Sequence, residues 1–304
     1  MARLLKLMVA LLLIVAVWSV YDRRDQAPTA QAQTKLQLGE RIYRENCAAC
    51  HSQKGDGTGL EADRLKTKPR DFTTGIYKFR STPSGSLPSD QDIFRTISRG
   101  VRGTSMLAQL HLSEKERWAV TDYIKTFSPR FKTEKPVEPL AISAKSSFNS
   151  QLRALGKAKY EEAGCGACHG ANGQGDGPSS KEMKDDSGNP ILATDLTLKP
   201  FKSGPDPEDL FRTISTGLNG TPMPSYGNAL TEKERWALVS YIFSIATHER
   251  PRGMMGLVGE EVQGMRIDMR AAMAGMMGGR GMMGRGGGMM DRNMREMMKD
   301  MMGR

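Results

Sequence analysis

Two short cysteine–histidine motifs constrain this 304-residue chain more than any other feature. The first is Cys47-Ala48-Ala49-Cys50-His51, and the second is Cys165-Gly166-Ala167-Cys168-His169. Together they contain all four cysteines of the chain, so no cysteine is left for a disulfide. Each motif places two thiols three positions apart and an imidazole directly after the second thiol. Any fold of this chain therefore has to present two equivalent sites of this kind.

The spacing is the attachment pattern of a c-type haem. Two cysteines in one turn can each bond a vinyl group on the same edge of a porphyrin, and the next residue then reaches the iron. A thioredoxin-type pair needs a βαβ context and no trailing histidine. A zinc site needs further ligand pairs at finger spacing, and the only other histidines are His111 and His248. The motifs therefore predict two covalently bound haem c groups.

The sequence around the two motifs is itself repeated, with an offset near 118 residues, as from Cys47 to Cys165. Such self-similarity indicates a duplicated domain, here of about 100 residues. The matching stretches are Leu38-Gly39 with Leu155-Gly156, Gly55-Asp56-Gly57 with Gly175-Asp176-Gly177, Asp92-Ile93-Phe94 with Asp209-Leu210-Phe211, Gly103-Thr104-Ser105-Met106 with Gly220-Thr221-Pro222-Met223, and Arg117-Trp118-Ala119 with Arg235-Trp236-Ala237.

Helix signals occur in the same order in both copies. Apolar spacing predicts a first helix at about 35–46 and its counterpart at about 150–162. Start signals for a middle helix and a last helix follow in each copy. They are Ser89 with Asp92, Asp206-Pro207 with Asp209, Ser113 with Glu116, and Thr231 with Glu234. The predicted fold class is all-α, with a few helices around each haem, which supplies apolar surface that so small a domain lacks.

Composition divides the chain into five predicted segments. The proline- and lysine-containing stretch between the copies has no periodicity, which indicates a linker. The segments are 1–34, a signal-anchor helix and spacer; 35–130, the first haem domain; 131–148, the linker; 149–248, the second haem domain; and 249–304, a Met/Gly-rich tail expected to be flexible.

The N-terminus carries an export signal. Arg3 and Lys6 stand at the start of an apolar stretch, as in an export signal. The 18 residues at 4–21 are just enough for a membrane helix. We favour an inner-membrane anchor with the haem domains in the periplasm. The alternative is a soluble periplasmic protein after cleavage near Ala30-Gln31-Ala32, and both interpretations export the haem domains.

The formal charge of +10 raises the question of nucleic acid, which the export signal argues against. Residues 250–304 hold ten Arg or Lys and six Asp or Glu, so the tail contributes +4 of that charge. The rest is a mildly basic surface. It would suit docking to an acidic redox partner or would serve solubility alone.

With these motifs in place, the chain resembles a tandem class I c-type cytochrome. The resemblance covers about 35–129 and 149–248, most of the chain, and it implies a methionine ligand ahead of each last helix. It also implies that Gly39 and Tyr43 contact Trp118 and Tyr123 across two helices. The corresponding contact in the second copy would join Gly156 and Tyr160 to Trp236 and Tyr241.

The iron ligands follow from adjacency and from this resemblance. His51 and His169 are the expected proximal ligands, and Met106 and Met223 the expected distal ligands, 55 and 54 residues further on. His111 is the competitor at the first iron, although its place beside the Ser113 cap favours a surface position. The alternative for either methionine is a core side chain. Met183 has no counterpart in the first copy.

Two irons with both axial positions filled favour electron transfer over substrate chemistry. The expected function is a dihaem cytochrome that relays single electrons between a donor and an acceptor protein of a respiratory chain, with a subunit of a larger complex as a variant. One alternative is a redox enzyme, of peroxidase or dehydrogenase type, with one open iron. No catalytic residue is assigned, and Asp56 and Asp176 are expected to form turns.

The tail holds 16 of the 21 methionines, all within 254–304. Several follow one another at helical spacing, which predicts short helices with a methionine stripe. A flexible apolar stripe suits docking on a partner or a membrane. Thioethers are also ligands for copper(I), so copper handling is a third functional hypothesis. We expect the tail to be mobile alone and to order on a partner.

Overall fold

The computed structural model describes residues 30–142 and 147–249. Contacts between residues divide the chain into the units Met1–Val262 and Gln263–Arg304, and every described residue belongs to the first unit. The predicted anchor at 4–21 and the methionine-rich tail at 254–304 lie outside the described residues. Within the described ranges, no helix is both long and apolar enough to cross a membrane.

Both copies of the repeat form the same series of helices. The first copy contains α1 (Ala30–Asn46), α2 (Ala48–His51), α3 (Asp90–Arg99) and α4 (Glu114–Lys125), with a 3₁₀ turn at Ala62–Arg64. A single helical turn, α5 (Arg130–Thr133), follows. The second copy contains α6 (Ser150–Glu162), α7 (Gly166–His169), α8 (Pro207–Thr216) and α9 (Glu232–Ile245), with a 3₁₀ turn at Pro178–Glu182.

A short strand pair departs from the all-α prediction. β1 (Leu198–Lys199) runs parallel to β2 (His248–Glu249), with Leu198 opposite His248. The amide of His248 also donates to the carbonyl of Thr197 at 3.1 Å. Strands of two residues have no alternation that a sequence could reveal. The pair fastens the segment after α9 to the loop ahead of α8.

The helix starts predicted from capping signals are confirmed. The Glu116 carboxylate accepts from the Ser113 amide at 2.8 Å, and the Ser113 hydroxyl accepts from the Glu116 amide at 3.3 Å. Thr231 and Glu234 form the same box with the same two distances. Each box pairs two backbone amides that would otherwise lack a partner at the helix end. The first helix begins at Ala30, earlier than predicted, and its counterpart spans Ser150–Glu162 as predicted.

The first and last helices of each copy cross at a glycine. A Cβ at Gly39 would lie 2.2 Å from the carbonyl oxygen of Ala119, and a Cβ at Gly156 would lie 1.9 Å from that of Ala237. Only a residue without a side chain allows the backbones to approach this closely. The Tyr43 ring packs beside Tyr123 with centroids 5.4 Å apart, and the matching tyrosines of the second copy have the same separation. This part of the predicted helix contact is confirmed.

The tryptophans join different helices from those predicted. Trp118 stacks on Phe94 of α3 with centroids 4.1 Å apart, and Trp236 stacks on Phe211 of α8 at 4.4 Å. Trp118 is next to Ala119, which faces α1, and successive helix positions point about 100° apart. The tryptophan therefore points towards the middle helix rather than towards the first one.

The two copies contact each other through charged side chains. Arg80 is 2% exposed and donates to the carbonyls of Thr216 at 2.7 Å and Gly217 at 3.3 Å. These carbonyls lie at the C-terminal end of α8, where partial negative charge favours a cation. A second arginine of the first copy, Arg99 at the end of α3, donates to Asp209 in the first turn of α8 at 2.9 Å. The copies are thus held by buried or half-buried hydrogen bonds.

The predicted linker at 131–148 packs on both copies over its described residues. Phe131 packs against the core of the first copy. Ile142 and Phe148 pack against the core of the second. The amide of Leu140 donates to the carbonyl of Ser81 at 2.8 Å. The segment therefore follows the surface of the first copy before it reaches α6.

Candidate haem-binding sites

Each cysteine–histidine motif forms one helical turn after the first helix of its copy. The amide of His51 donates to the carbonyl of Cys47 at 2.9 Å, and the equivalent bond of the second motif has the same length. One turn thus brings the histidine and the first cysteine to the same side. The Tyr43 hydroxyl donates to the carbonyl of Ser52 at 2.8 Å, which ties the end of this turn to α1.

Both motif histidines have one ring nitrogen already engaged. Nδ1 of His51 lies 3.0 Å from the carbonyl oxygen of Arg70, and Nδ1 of His169 lies 2.9 Å from that of Thr194. A carbonyl can only accept, so Nδ1 carries the proton and Nε2 keeps a lone pair for a metal. Burial lowers the pKa of both histidines, which favours the neutral ring that a metal requires. The His51 ring also stacks on Phe72, with centroids 4.4 Å apart.

The two predicted distal methionines lie in loops with matching hydrogen bonds. The amide of Val101 donates to the carbonyl of Met106 at 2.8 Å, and the amide of Met106 donates to the Thr104 hydroxyl at 3.1 Å. In the second copy the same bonds join Leu218, Met223 and Thr221, at 3.1 and 3.3 Å. Both loops are therefore held by hydrogen bonds between their own residues.

One apolar cavity in each copy brings the predicted groups together. The first cavity is lined by Cys47, Cys50, His51 and Met106, and the second by Cys165, Cys168, His169 and Met223. Apolar side chains from the middle and last helices complete the walls, namely Ile93, Ile97, Val120 and Ile124 in the first and Leu210, Ile214, Leu238 and Ile242 in the second. Segments far apart in the sequence thus meet at each site.

The lining fits a covalently attached haem. All four cysteines are free and only half-buried. The apolar walls suit the faces of a porphyrin. Tyr77 lines the first cavity, and its hydroxyl is buried without a hydrogen-bond partner among the described residues. A buried hydroxyl without a partner is costly, and a haem carboxylate is a group that would pair with it. Cys47, Cys50 and His51 would hold the first haem, and Cys165, Cys168 and His169 the second.

Three further residues were considered as iron ligands, namely His111, His248 and Met183. The two histidines lie outside the cavities, and the methionine lies within the second. His111 is exposed, with Nε2 2.9 Å from Oδ1 of Asn46, and does not line the first cavity. His248 is exposed in β2. Met183 lines the second cavity, as Met223 does. Its position gave no sequence signal, because the first copy has no matching residue.

Asp56 forms a turn, as predicted. Its carboxylate accepts from the Ser52 hydroxyl at 2.6 Å and from the Thr58 amide at 3.0 Å. These bonds hold its pKa at about 2, well below the ordinary value. The carboxylate is therefore committed to the loop after α2 and is not a proton donor near neutral pH.

Comparison with known proteins gives a match in each copy. The family described as cytochrome c oxidase, cbb3-type, subunit III matches residues 34–124, and the family described as cytochrome c matches residues 154–246. A chain of the Kuenenia stuttgartiensis reducing HAO-like protein complex Kustc0457/Kustc0458 is 44% identical, with a TM-score of 0.67. That similarity covers 68% of this chain and 95% of the solved one.

Curated relatives of lower identity carry one name. The Cbb3-type cytochrome c oxidase subunit CcoP of Azospirillum brasilense is 28% identical over 68% of this chain and 61% of the relative. The subunit of the same name from Helicobacter pylori is 25% identical over 53% of this chain and 42% of the relative. The chain thus spans less than two thirds of the length of these relatives.

The helical fold, the two thiol-lined cavities and these similarities together define a c-type cytochrome. More particularly, the chain belongs to the tandem class I c-type cytochromes and has two covalently bound haem c groups.

Proposed function

We propose that this protein carries single electrons between redox partners as a subunit of a larger oxidoreductase complex. The observation that supports it is that each cavity is lined by both the motif histidine and the predicted distal methionine, His51 with Met106 and His169 with Met223. An iron bound by histidine and methionine exchanges one electron and has no open position for a substrate.

The residues around each cavity are suited to that role. The carbonyls of Arg70 and Thr194 keep the two proximal rings in one tautomer and one orientation. Hydrogen bonds within the methionine loops hold the backbone of Met106 and of Met223. A site that is fixed before the electron arrives has little to rearrange when the charge of the iron changes.

The similarities favour a place in a complex. The solved chain that is 44% identical belongs to a reducing HAO-like protein complex. The similarity covers 95% of that solved chain. The relatives named as subunits of Cbb3-type cytochrome c oxidase are less similar, at 28% and 25% identity. We therefore propose a complex of the HAO-like kind, with an oxidase as the second candidate. The predicted anchor at 4–21 would hold the haem domains on the periplasmic side.

The test uses purified full-length holoprotein. A pyridine haemochrome assay is expected to give two haems per chain that stay attached after denaturation. The oxidised protein should show the methionine-to-iron charge-transfer absorption, and the reduced protein should not bind carbon monoxide. Ready binding of carbon monoxide, with peroxide turnover, would replace electron transfer by the enzyme alternative. One haem per chain would contradict both.

For the tail at 254–304 we propose docking on a partner, with copper(I) binding as the narrower hypothesis. Its support is the methionine content alone, and the segment lies outside the described residues.

A further inference from the structure

The two haem cavities meet at one part of the first domain. Thr67, Lys68, Lys78 and Phe79 line both cavities. Among the described residues, none from the second domain lines the first cavity. Lys202, which follows a buried aromatic residue in the second domain as Lys78 does in the first, lines only the second of the two. The boundary between the cavities is therefore built by the first domain.

The described lining of the two cavities carries more positive than negative charge. The only carboxylate in it is that of Asp185. Five side chains in it are cationic, namely Lys66, Lys68, Arg70, Lys78 and Lys202. Together with the one carboxylate, they leave a surplus of four positive charges. Each haem c brings two propionate carboxylates, four for the pair. The surplus in the lining thus matches the charge that the two groups would introduce.

Lys78 differs from its neighbour Lys68 in its surroundings. The Lys68 ammonium donates to the carbonyls of Ala62 and Asp63 at 3.0 and 3.1 Å. Lys78 has no hydrogen bond or ion pair with any described residue. Its burial, together with the charge of Arg70, lowers its pKa to about 8. The Asp185 carboxylate offsets only part of this effect on the pKa. A partly buried ammonium that forms no ion pair costs free energy, which an anionic group in either cavity would offset.

Lys78 is also held at this boundary by the chain around it. Arg80, two positions further on, is buried and bonded to the carbonyls at the end of α8. Tyr77, one position before, is buried in the first core and stacks on Phe72, with centroids 5.9 Å apart. With both neighbours fixed, the Lys78 backbone cannot move away from either cavity without breaking the contact between the domains.

We propose that Lys78 acts as one charge shared by both haem groups and raises the reduction potential of both irons. The inference rests on the proposed electron-transfer function, because it needs both haems to be present. A fixed positive charge stabilises the ferrous state, which has one positive charge less than the ferric state. Since Lys78 lines both cavities, this stabilisation applies to the two irons together.

The test is a spectroelectrochemical titration of full-length holoprotein. A Met106→His background separates the two midpoints, because that change lowers the first potential and alters its spectrum. In this background Lys78→Met is expected to shift both midpoints downward. Lys202→Met should shift mainly the second, and Lys78→Arg, which keeps the charge, should restore both. Lys54→Met, at an exposed position away from the cavity linings, is the control and should shift neither.

The outcomes separate this inference from the proposed function. A protein with two haems whose midpoints respond to Lys78→Met no more than to Lys54→Met overturns the shared charge. So does a shift of one midpoint alone. Fewer than two haems in the unsubstituted protein overturns the proposed function instead. If Lys78→Met lowers the haem content, Lys78→Gln is titrated in its place and is read by the same criteria.

Discussion

Two methionines, Met183 and Met223, line the second cavity, so the second iron has two candidate thioether ligands. Met223 lies in a loop whose hydrogen bonds match those of the Met106 loop. We therefore expect Met223→His to remove the methionine-to-iron absorption of the second haem and to lower its potential, because imidazole favours ferrous iron less than a thioether does. Absorption spectra and a redox titration measure both effects.

Met183→Leu is the matched control for this prediction. It removes a thioether from the same cavity and keeps an apolar side chain of similar size. The absorption of the second haem should persist in this variant. Loss of the signal in Met183→Leu, with retention in Met223→His, would exchange the roles of the two methionines.

Arg80 is the second residue whose substitution has a specific expected result. Arg80→Met keeps much of the apolar stem and removes the donors to Thr216 and Gly217. The buried carbonyl of Thr216 then lacks its partner, and that of Gly217 keeps only the Thr216 hydroxyl at 3.1 Å. We expect a loss of about 1–3 kcal/mol in unfolding free energy. Urea unfolding followed by circular dichroism measures it. Arg64→Met removes only an exposed ion pair with Glu61 and should cost less than about 1 kcal/mol. Equal losses would show that the Arg80 bonds do not stabilise the fold.

At the scale of elements, the crossing of α6 and α9 depends on Gly156. A Cβ there would lie 1.9 Å from the backbone oxygen of Ala237, so Gly156→Ala has to push two helices apart. We expect it to cost about 1–3 kcal/mol or more in unfolding free energy. Gly166→Ala is the control, since its Cβ would have no neighbour closer than 3.8 Å and Ala48 occupies the same place in the first motif. A tolerated Gly156→Ala would contradict the close helix contact.

The helices and their starts could be predicted from the sequence because their signals are local. Ser113 and Glu116 lie three positions apart, and their bonds form within one turn. The partner of Trp118 could not be predicted in the same way. Its stacking on Phe94 depends on how α4 rotates against α3, and that rotation is set by the glycine crossing with α1. The pairing of β1 with β2 likewise joins two residues to two others about 50 positions away.

At the scale of the whole molecule, the repeat predicted two sites but not their relation. The bond from Arg80 to Thr216 spans 136 positions, and nothing in either copy of the repeat specifies it. Arg80 has no cationic counterpart that the repeat would reveal, because the segments before α3 and α8 differ in length and sequence. The meeting of the two cavities at Lys78 and Phe79 follows from this contact. It is a property of the docked pair of domains rather than of either domain alone.

The whole molecule also gives a test that separates the haem sites from the tail. All described residues that line the two cavities lie between Asn46 and Ile242. A chain that stops after Glu249 is therefore expected to keep two haems and both midpoint potentials of the full-length protein. Loss of a haem, or a shifted midpoint, would show that residues after Glu249 contribute to a haem site.

The same pair of proteins tests the copper(I) hypothesis for the tail. Removing residues after Glu249 deletes 16 of the 21 methionines, while Met106, Met183 and Met223 remain. Because thioethers are soft ligands that select copper(I), the full-length protein should retain more copper(I) than the shortened one in competition with a chelator. Oxidation of the methionines to sulfoxides should abolish the difference, since a sulfoxide no longer offers the thioether sulfur. Equal retention by the two proteins would remove the metal role of the tail.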